Sequence, residues 1–157
     1  MIDTATNEDI PALCELLGEL FAQESDFQPD HSKQIAGLRL ILENPQHGKI
    51  FVMRRAGTAV GMVNLLHAVS LRHGGRALVL EDMIVRRNFR SQGVATALLA
   101  YSIEFAQSLG AVRITLFTDT TNTHAISLYQ KLGFIHSGAS PMRHKSLNIP
   151  HVGVKIQ

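Results

Sequence analysis

The sequence predicts an α+β fold built on a mixed, mostly antiparallel central sheet. Three observations lead there. From Lys49 onward the helical spacing of apolar residues gives way to three strand-like runs joined by short turns, an antiparallel meander. Two helical patterns come before it. After it the order is helix, strand, helix, strand, and a strand reached through a crossover helix lies parallel to the one it left. The chain has 157 residues, of which 45% are hydrophobic, enough to bury a sizeable core. It shows no internal repeat, low-complexity segment or linker, so residues 1–157 read as one domain.

Residues 2–5 suit a short first strand. Thr6-Asn-Glu-Asp9 resembles a capping box, and Ile10, Leu13, Cys14, Leu17, Leu20 and Phe21 then recur at helical spacing to about Gln23. Residues 24–30 form an acidic loop with one aromatic, Phe27. A second helix carries Ile35, Leu38, Ile41 and Leu42 on one face and stops at Asn44-Pro45, since Pro cannot continue the hydrogen-bond ladder. The meander comprises Ile50–Met53, a turn over Arg54–Thr58, Ala59–Val69, a Gly74-Gly75 turn within Leu71–Arg76, and Ala77–Val85. The third helix has Val94, Ala97, Leu98, Tyr101, Phe105 and Leu109 on its face and Gly110 as its stop. Val112–Phe117 is the parallel strand. Thr118 to Thr121 are expected to cap a fourth helix ending at Leu132-Gly133. Phe134-Ile135 is expected to open a last strand pair with its partner in 140–147, and 148–157 are only weakly patterned.

Composition narrows the function. The formal charge is only +2 with no long run of one sign, which argues against a nucleic-acid partner. Cys14 is the only cysteine, so no internal disulfide forms and a reducing, cytoplasmic setting is expected; its place in an apolar helical pattern suits core packing. Structure is expected to begin almost at Met1, so no signal peptide is expected, and no apolar run approaches membrane-spanning length. The eight His residues lack close metal-ligand spacing, so no metal is expected.

The stretch from Val79 to Gly110 reads as a buried strand, a tight basic turn and the start of an amphipathic helix. Such a turn is an anion site, because free backbone N–H groups and the positive end of the helix dipole converge there. Gly93 permits close backbone approach, and Arg86, Arg87 and Arg90 add positive charge. A second constellation is Asn122-x-x-Ala125-x-x-x-Tyr129-x-x-x-Gly133-Phe134. Helical geometry puts 122, 125, 129 and 132 on one side, which by spacing alone describes a capped helix with a core-facing Tyr. The run Arg90-Ser-Gln-Gly93-Val-Ala95 resembles the Gln/Arg-x-x-Gly-x-Gly/Ala turn of the GCN5-related N-acetyltransferases, the GNAT superfamily, and the second constellation resembles the pattern that follows that turn in the same family. The resemblance runs from the first helix to about residue 147.

The resemblance implies the acyl-CoA N-acyltransferase fold: an α/β three-layer arrangement with helices on both faces and a parallel strand pair splayed open between the strands ending near Val85 and Phe117. It implies that the pantetheine arm of acetyl-CoA lies in the opening. Met83, Ile84 and Val85 would offer it backbone groups. Arg90, Ser91, Gln92, Gly93, Val94, Ala95 and Thr96 would cradle the pyrophosphate, Asn122 would lie near the pantetheine, and Tyr129 near the thioester sulfur. The chain departs from the pattern at Ser91, where Gly is usual, at Ala95, where Gly is commoner, and at Arg87, where Pro is frequent.

Acetyl transfer to an amine needs the free lone pair, yet an alkyl ammonium has a pKa near that of Lys, about 10.4. A carboxylate, directly or through water, must help remove the proton. Glu81 and Asp82 are the candidates, and alternation along a strand lets only one face the cleft. Glu81 is the first choice, since Leu80-Glu-Asp-x-x-Val85 also resembles the diamine acetyltransferase branch of the family; Asp82 is the second. The competing structural reading pairs the carboxylate with a nearby Arg. A bulge at Val85 could present an N–H to the developing oxyanion, and the Tyr129 phenol could protonate the leaving thiolate. Direct transfer is expected, with Cys14 in the wrong segment to act as nucleophile. Glu24, Asp26, Phe27 and Asp30 would suit a cationic acceptor, but a solvated acidic loop explains them better. The expected function is N-acetylation of a primary amine on a small molecule such as a polyamine, amino acid or related metabolite. The alternatives are acetylation of protein N-termini or lysines, or a non-catalytic CoA-binding or dimerisation module; a homodimer is allowed.

Overall fold

The computed structural model describes residues 1–23 and 30–143. Its elements are β1 (Ile2–Thr4), α1 (Ile10–Phe21), α2 (His31–Leu42), β2 (Gly48–Arg55), β3 (Thr58–Ser70), β4 (Gly75–Val85), α3 (Val94–Ser108), β5 (Arg113–Leu116) and α4 (Thr123–Lys131). The five strands form one sheet in the order β1-β2-β3-β4-β5. The first three pairings are antiparallel and β4–β5 is parallel, as the crossover through α3 requires.

Helices cover both faces. Ile50, Val52, Met62 and Ile84 meet Leu13, Leu16 and Leu17 of α1 and Leu38 of α2 on one side. Phe51, Val63, Leu65, Leu78 and Leu80 meet Val94, Leu98 and Leu99 of α3 on the other. Alternation of strand side chains explains this division along β2 and β3. A side chain at Gly61 would meet Val94 Cγ1 at 3.0 Å and Leu98 Cδ1 at 3.1 Å, so the bare glycine lets the start of α3 lie close on β3. Among the described residues, no helix is long and apolar enough to cross a membrane.

Charged groups tie the edges together. Arg54 pairs with Asp9 at 2.8 Å and with Asp3 at 3.1 Å, joining β2 to β1 and to the start of the first helix. The capping expectation holds there, with the Thr6 N–H donating to Asp9 Oδ2 at 2.8 Å. Arg86 departs from expectation. Its guanidinium donates to the Ala59 carbonyl and pairs with Glu15 at 2.7 Å and Glu19 at 3.4 Å, so it anchors the end of β4 to α1 instead of facing an anion.

Three other expectations are corrected. The bulge in β4 lies not at Val85 but at Glu81–Asp82: the register steps from Leu65↔Leu80 to Val63↔Met83, leaving one extra residue on β4. Helix α4 is capped not from 118–121 but by Asn122, whose Oδ1 accepts from the Ala125 N–H at 3.1 Å. No strand forms over 134–143. The Phe134 N–H returns to the Tyr129 carbonyl at 3.1 Å and its ring lies edge-on to Tyr129 at 6.0 Å, which turns the chain back on α4. Beyond it Ile135 and Met142 are exposed, with Gly138 and Pro141 between, a run with no apolar alternation to hold a strand on the sheet. The rest of the expected partner, 144–147, lies outside the described residues.

Candidate active site

Parallel pairing between β4 and β5 runs from Ala77↔Arg113 to Leu80↔Leu116 and stops. Strand β4 continues to Val85, so among the described residues the edge of Glu81–Val85 on the β5 side pairs with no strand. The sheet opens where the bulge begins. Met83, Ile84 and Val85 lie along this opening; Ile84 and Val85 bury their side chains, and Met83 packs on the α3-side core.

The opening leads into the basic turn. A short 3-10 turn over Arg87–Phe89 precedes Arg90, and α3 starts after Gly93. The first backbone N–H of α3 to find a carbonyl is that of Ala97, which bonds Gly93 at 3.0 Å. Those of Val94, Ala95 and Thr96 therefore stand at the start of the helix without a partner among the described residues, pointing at one spot. Ser91 and Gly93 both adopt left-handed backbone, with φ of +57° and +78°. Ser91 thus keeps the conformation that glycine adopts freely. Ser91→Gly is expected to leave the unfolding midpoint unchanged or higher, whereas Ser91→Val, β-branched at positive φ, lowers stability by about 1–2 kcal/mol in a denaturant titration.

Sequence reasoning missed Arg55 here. Its guanidinium donates to Gln92 Oε1 at 2.6 Å and to the Gln92 carbonyl at 3.3 Å, and stacks over Phe89 at 5.8 Å. Gln92 in turn donates to the Asn88 carbonyl at 2.9 Å, so the turn is braced from β2. Arg90 spends its Nε on the Val85 carbonyl at 3.0 Å, which fixes the end of β4 to the turn. Arg87 and Thr96 are exposed beside it. Nothing in the local sequence pairs residue 55 with residue 92; only the β2–β3 hairpin does.

The two candidate carboxylates separate at the bulge. Glu81 is exposed. Asp82 lines a cavity of about 260 Å³ between α1, α2 and the sheet. The extra residue explains this: Leu80 faces α3, whereas Asp82 and Ile84 face α1 and α2, which strict alternation would forbid. Burial pushes the Asp82 carboxyl above the ordinary carboxylate range, partly offset by a hydrogen bond from Asn64 Nδ2 at 3.5 Å. No Arg pairs with it.

The same cavity is lined by Leu17, Leu38, Ile41, Ile50 and Met62, and by the polar Gln34 and Asn64. Gln34 and Asn64 are 8% and 5% exposed. Neither had a signal in the sequence, because a polar residue in an amphipathic pattern shows its burial only once the fold closes. Of the acidic loop, Asp30 caps α2 by accepting from the Ser32 and Lys33 N–H groups; Glu24, Asp26 and Phe27 lie outside the described residues.

Tyr129 extends from α4 into the α3-side cluster. Burial raises its phenol pKa, so it stays protonated through neutral pH. Its side-chain neighbour is Phe134. Asn122 keeps only its Nδ2 free of the cap. Cys14 is buried in the α1 core, where burial raises its thiol pKa. Among the described residues, no three His, Cys, Asp or Glu side chains converge to hold a metal ion.

A model of the acetyltransferase (GNAT) family matches residues 10–134. N-acetyltransferase family 8 member 2 of Rattus norvegicus is 35% identical over 92 residues, 59% of this chain and 41% of that protein. Aminoalkylphosphonate N-acetyltransferase of Salmonella typhimurium is 29% identical over 133 residues, 85% of this chain and 83% of that protein. A crystal structure of an integron cassette protein from the mobile metagenome of Cole Harbour Salt Marsh matches with a TM-score of 0.82 at 26% identity, covering 96% of this chain and 92% of that one. The chain spans about two fifths of the length of the rodent relatives it matches.

Proposed function

The chain belongs to the GNAT acetyltransferase family, and from that premise we propose that it transfers the acetyl group of acetyl-CoA to the primary amine of a small molecule. The observation that carries this reading is the strand edge Glu81–Val85, left open beside β5 and running directly into a turn whose N–H groups are unpaired. An extended pantetheine arm fits such an edge as an added strand would, and a diphosphate fits the N–H groups of Val94, Ala95 and Thr96. Bound acetyl-CoA supplies an activated thioester.

The residues of the chain then divide the remaining work. Asp82, with its raised proton affinity and its place in the acceptor cavity, removes the ammonium proton; Glu81 is less suited, being exposed. The amine nitrogen forms the new bond to the acetyl carbon while the carbon–sulfur bond breaks. Tyr129 gives its proton to the departing sulfur, and the bulged backbone of β4 offers N–H groups to the carbonyl oxygen. Asp82 works from the α1–α2 face and Tyr129 from the α3 face, which keeps proton removal and proton delivery apart.

A cavity of about 260 Å³ has room for a small amine and not for a length of polypeptide. The Salmonella relative, by its name, acetylates an aminoalkylphosphonate, itself a small amine. The buried lone Cys14 fits a reducing, cytoplasmic setting. The test is release of free CoA from acetyl-CoA across a panel of small amines and lysine peptides, with the acetylated product identified by mass spectrometry. Turnover of peptides alone would overturn the small-molecule reading. Arg55→Ala, which frees Gln92 and the turn, is expected to raise the KM for acetyl-CoA about tenfold with a smaller change in kcat, in steady-state kinetics.

A further inference from the structure

We propose that the cavity under α1 and α2 selects a primary amine whose mainly apolar skeleton carries one uncharged hydrogen-bonding group, a hydroxyl or a carboxamide, read by the side-chain amide of Gln34. The inference rests on the acetyltransferase reading above and deepens it.

Gln34 lies on α2, is 8% exposed, and finds no partner for either Nε2 or Oε1. An unsatisfied buried amide destabilises a fold by about 1–3 kcal/mol, and an apolar side chain would suit the neighbouring Leu38 and Met62 better. The group therefore answers to an occupant of the cavity. Asn64 gives the occupant a direction. Its Nδ2 donates to Asp82, which leaves its buried Oδ1 unpaired beside the carboxylate. Two acceptors side by side suit an ammonium, whose three N–H donors need them. The amine end of the acceptor thus belongs at Asp82 and Asn64.

The other end belongs at Gln34, which offers both a donor and an acceptor. A hydroxyl or carboxamide also does both and satisfies both atoms. A carboxylate or phosphonate only accepts and would leave Oε1 unpaired; a second ammonium only donates and would leave Nε2 unpaired. Among the described residues, Asp82 is the only acid lining the cavity, and a second ammonium at the Gln34 end would find no carboxylate there. This disfavours the diamine acceptors that the Leu80-Glu-Asp-x-x-Val85 run suggests.

The experiment compares kcat/KM, by CoA release, for amines of equal chain length ending in methyl, hydroxyl, carboxamide, ammonium or phosphonate, in the wild type and in Gln34→Leu. The wild type is expected to favour the hydroxyl or carboxamide amine over the methyl and ammonium analogues by about tenfold or more, and Gln34→Leu to erase that preference. The same substitution is expected to raise the unfolding temperature, because two orphaned polar atoms leave the interior. Should Gln34→Leu fail to fold, Gln34→Met keeps the length of the side chain and reads the same ratio. A ratio unchanged by substitution, or a wild type that prefers the ammonium or phosphonate amine, overturns the inference. Turnover without Gln34-dependent selectivity sinks this inference alone; no turnover of any amine sinks the acetyltransferase reading beneath it.

Discussion

Tyr129→Phe lowers kcat by about two to four orders of magnitude, the range a positioned general acid contributes, and leaves the KM for acetyl-CoA nearly unchanged. The phenol makes no hydrogen bond to a described residue, and burial keeps it protonated. A leaving thiolate has a proton affinity near that of Cys, with a pKa of about 8.5, so a proton held close by is needed only as the carbon–sulfur bond breaks. Phe keeps the ring against Phe134, so the fold and the cofactor groove stay intact. Steady-state kinetics in both substrates separate the two effects. A kcat equal to that of the wild type removes Tyr129 from the chemistry.

Asp82→Asn has the second large effect, a fall in kcat/KM of about two to four orders of magnitude at neutral pH. The wild-type rate is expected to fall as pH drops through the raised pKa of Asp82, because only the ionised carboxylate accepts the proton. Stability moves the other way. Burial makes the folded protein bind this proton more tightly than the unfolded chain does, so the contribution is present in acid and is lost as pH rises through the folded pKa. Asp82→Asn should therefore unfold at a higher temperature than the wild type near neutrality. That gain should close below the ordinary aspartate pKa of about 3.9. Thermal melts and pH–rate profiles of the two proteins check both halves. An acid limb that moves with Glu81→Gln instead would transfer the role to Glu81.

How much of this was legible in the chain depends on the range of the interaction. Helices α1 to α3 follow from apolar residues three and four apart, and β2 to β4 from runs punctuated by Gly57 and Gly74, because those signals are local. The turn before α3 is local too: Gly93 before an apolar repeat marks a helix start, and Ser91 adopts the left-handed geometry despite its side chain. The expected last strand pair failed over 134–143 because two apolar residues do not define an edge; the contact of Phe134 with Tyr129 decided the path of the chain. Arg86, expected to add positive charge around the turn, pairs instead with Glu15 and Glu19, which no local pattern links to it because they come from a helix far earlier in the chain.

The sequence by itself determined the order of elements, the parallel crossover, the tight glycine turn before α3 and the helix that carries Tyr129, all consequences of backbone geometry over a few residues. Only the tertiary structure decided which carboxylate faces the cavity under α1 and α2. One extra residue in β4 opposite Asn64 switches the strand's facing between Leu80 and Asp82, and that switch depends on pairing with a strand whose register no local pattern encodes. The same closure buried Gln34 and Asn64 without full partners and set Arg55 against Gln92, since burial and long-range pairing are properties of the packed chain.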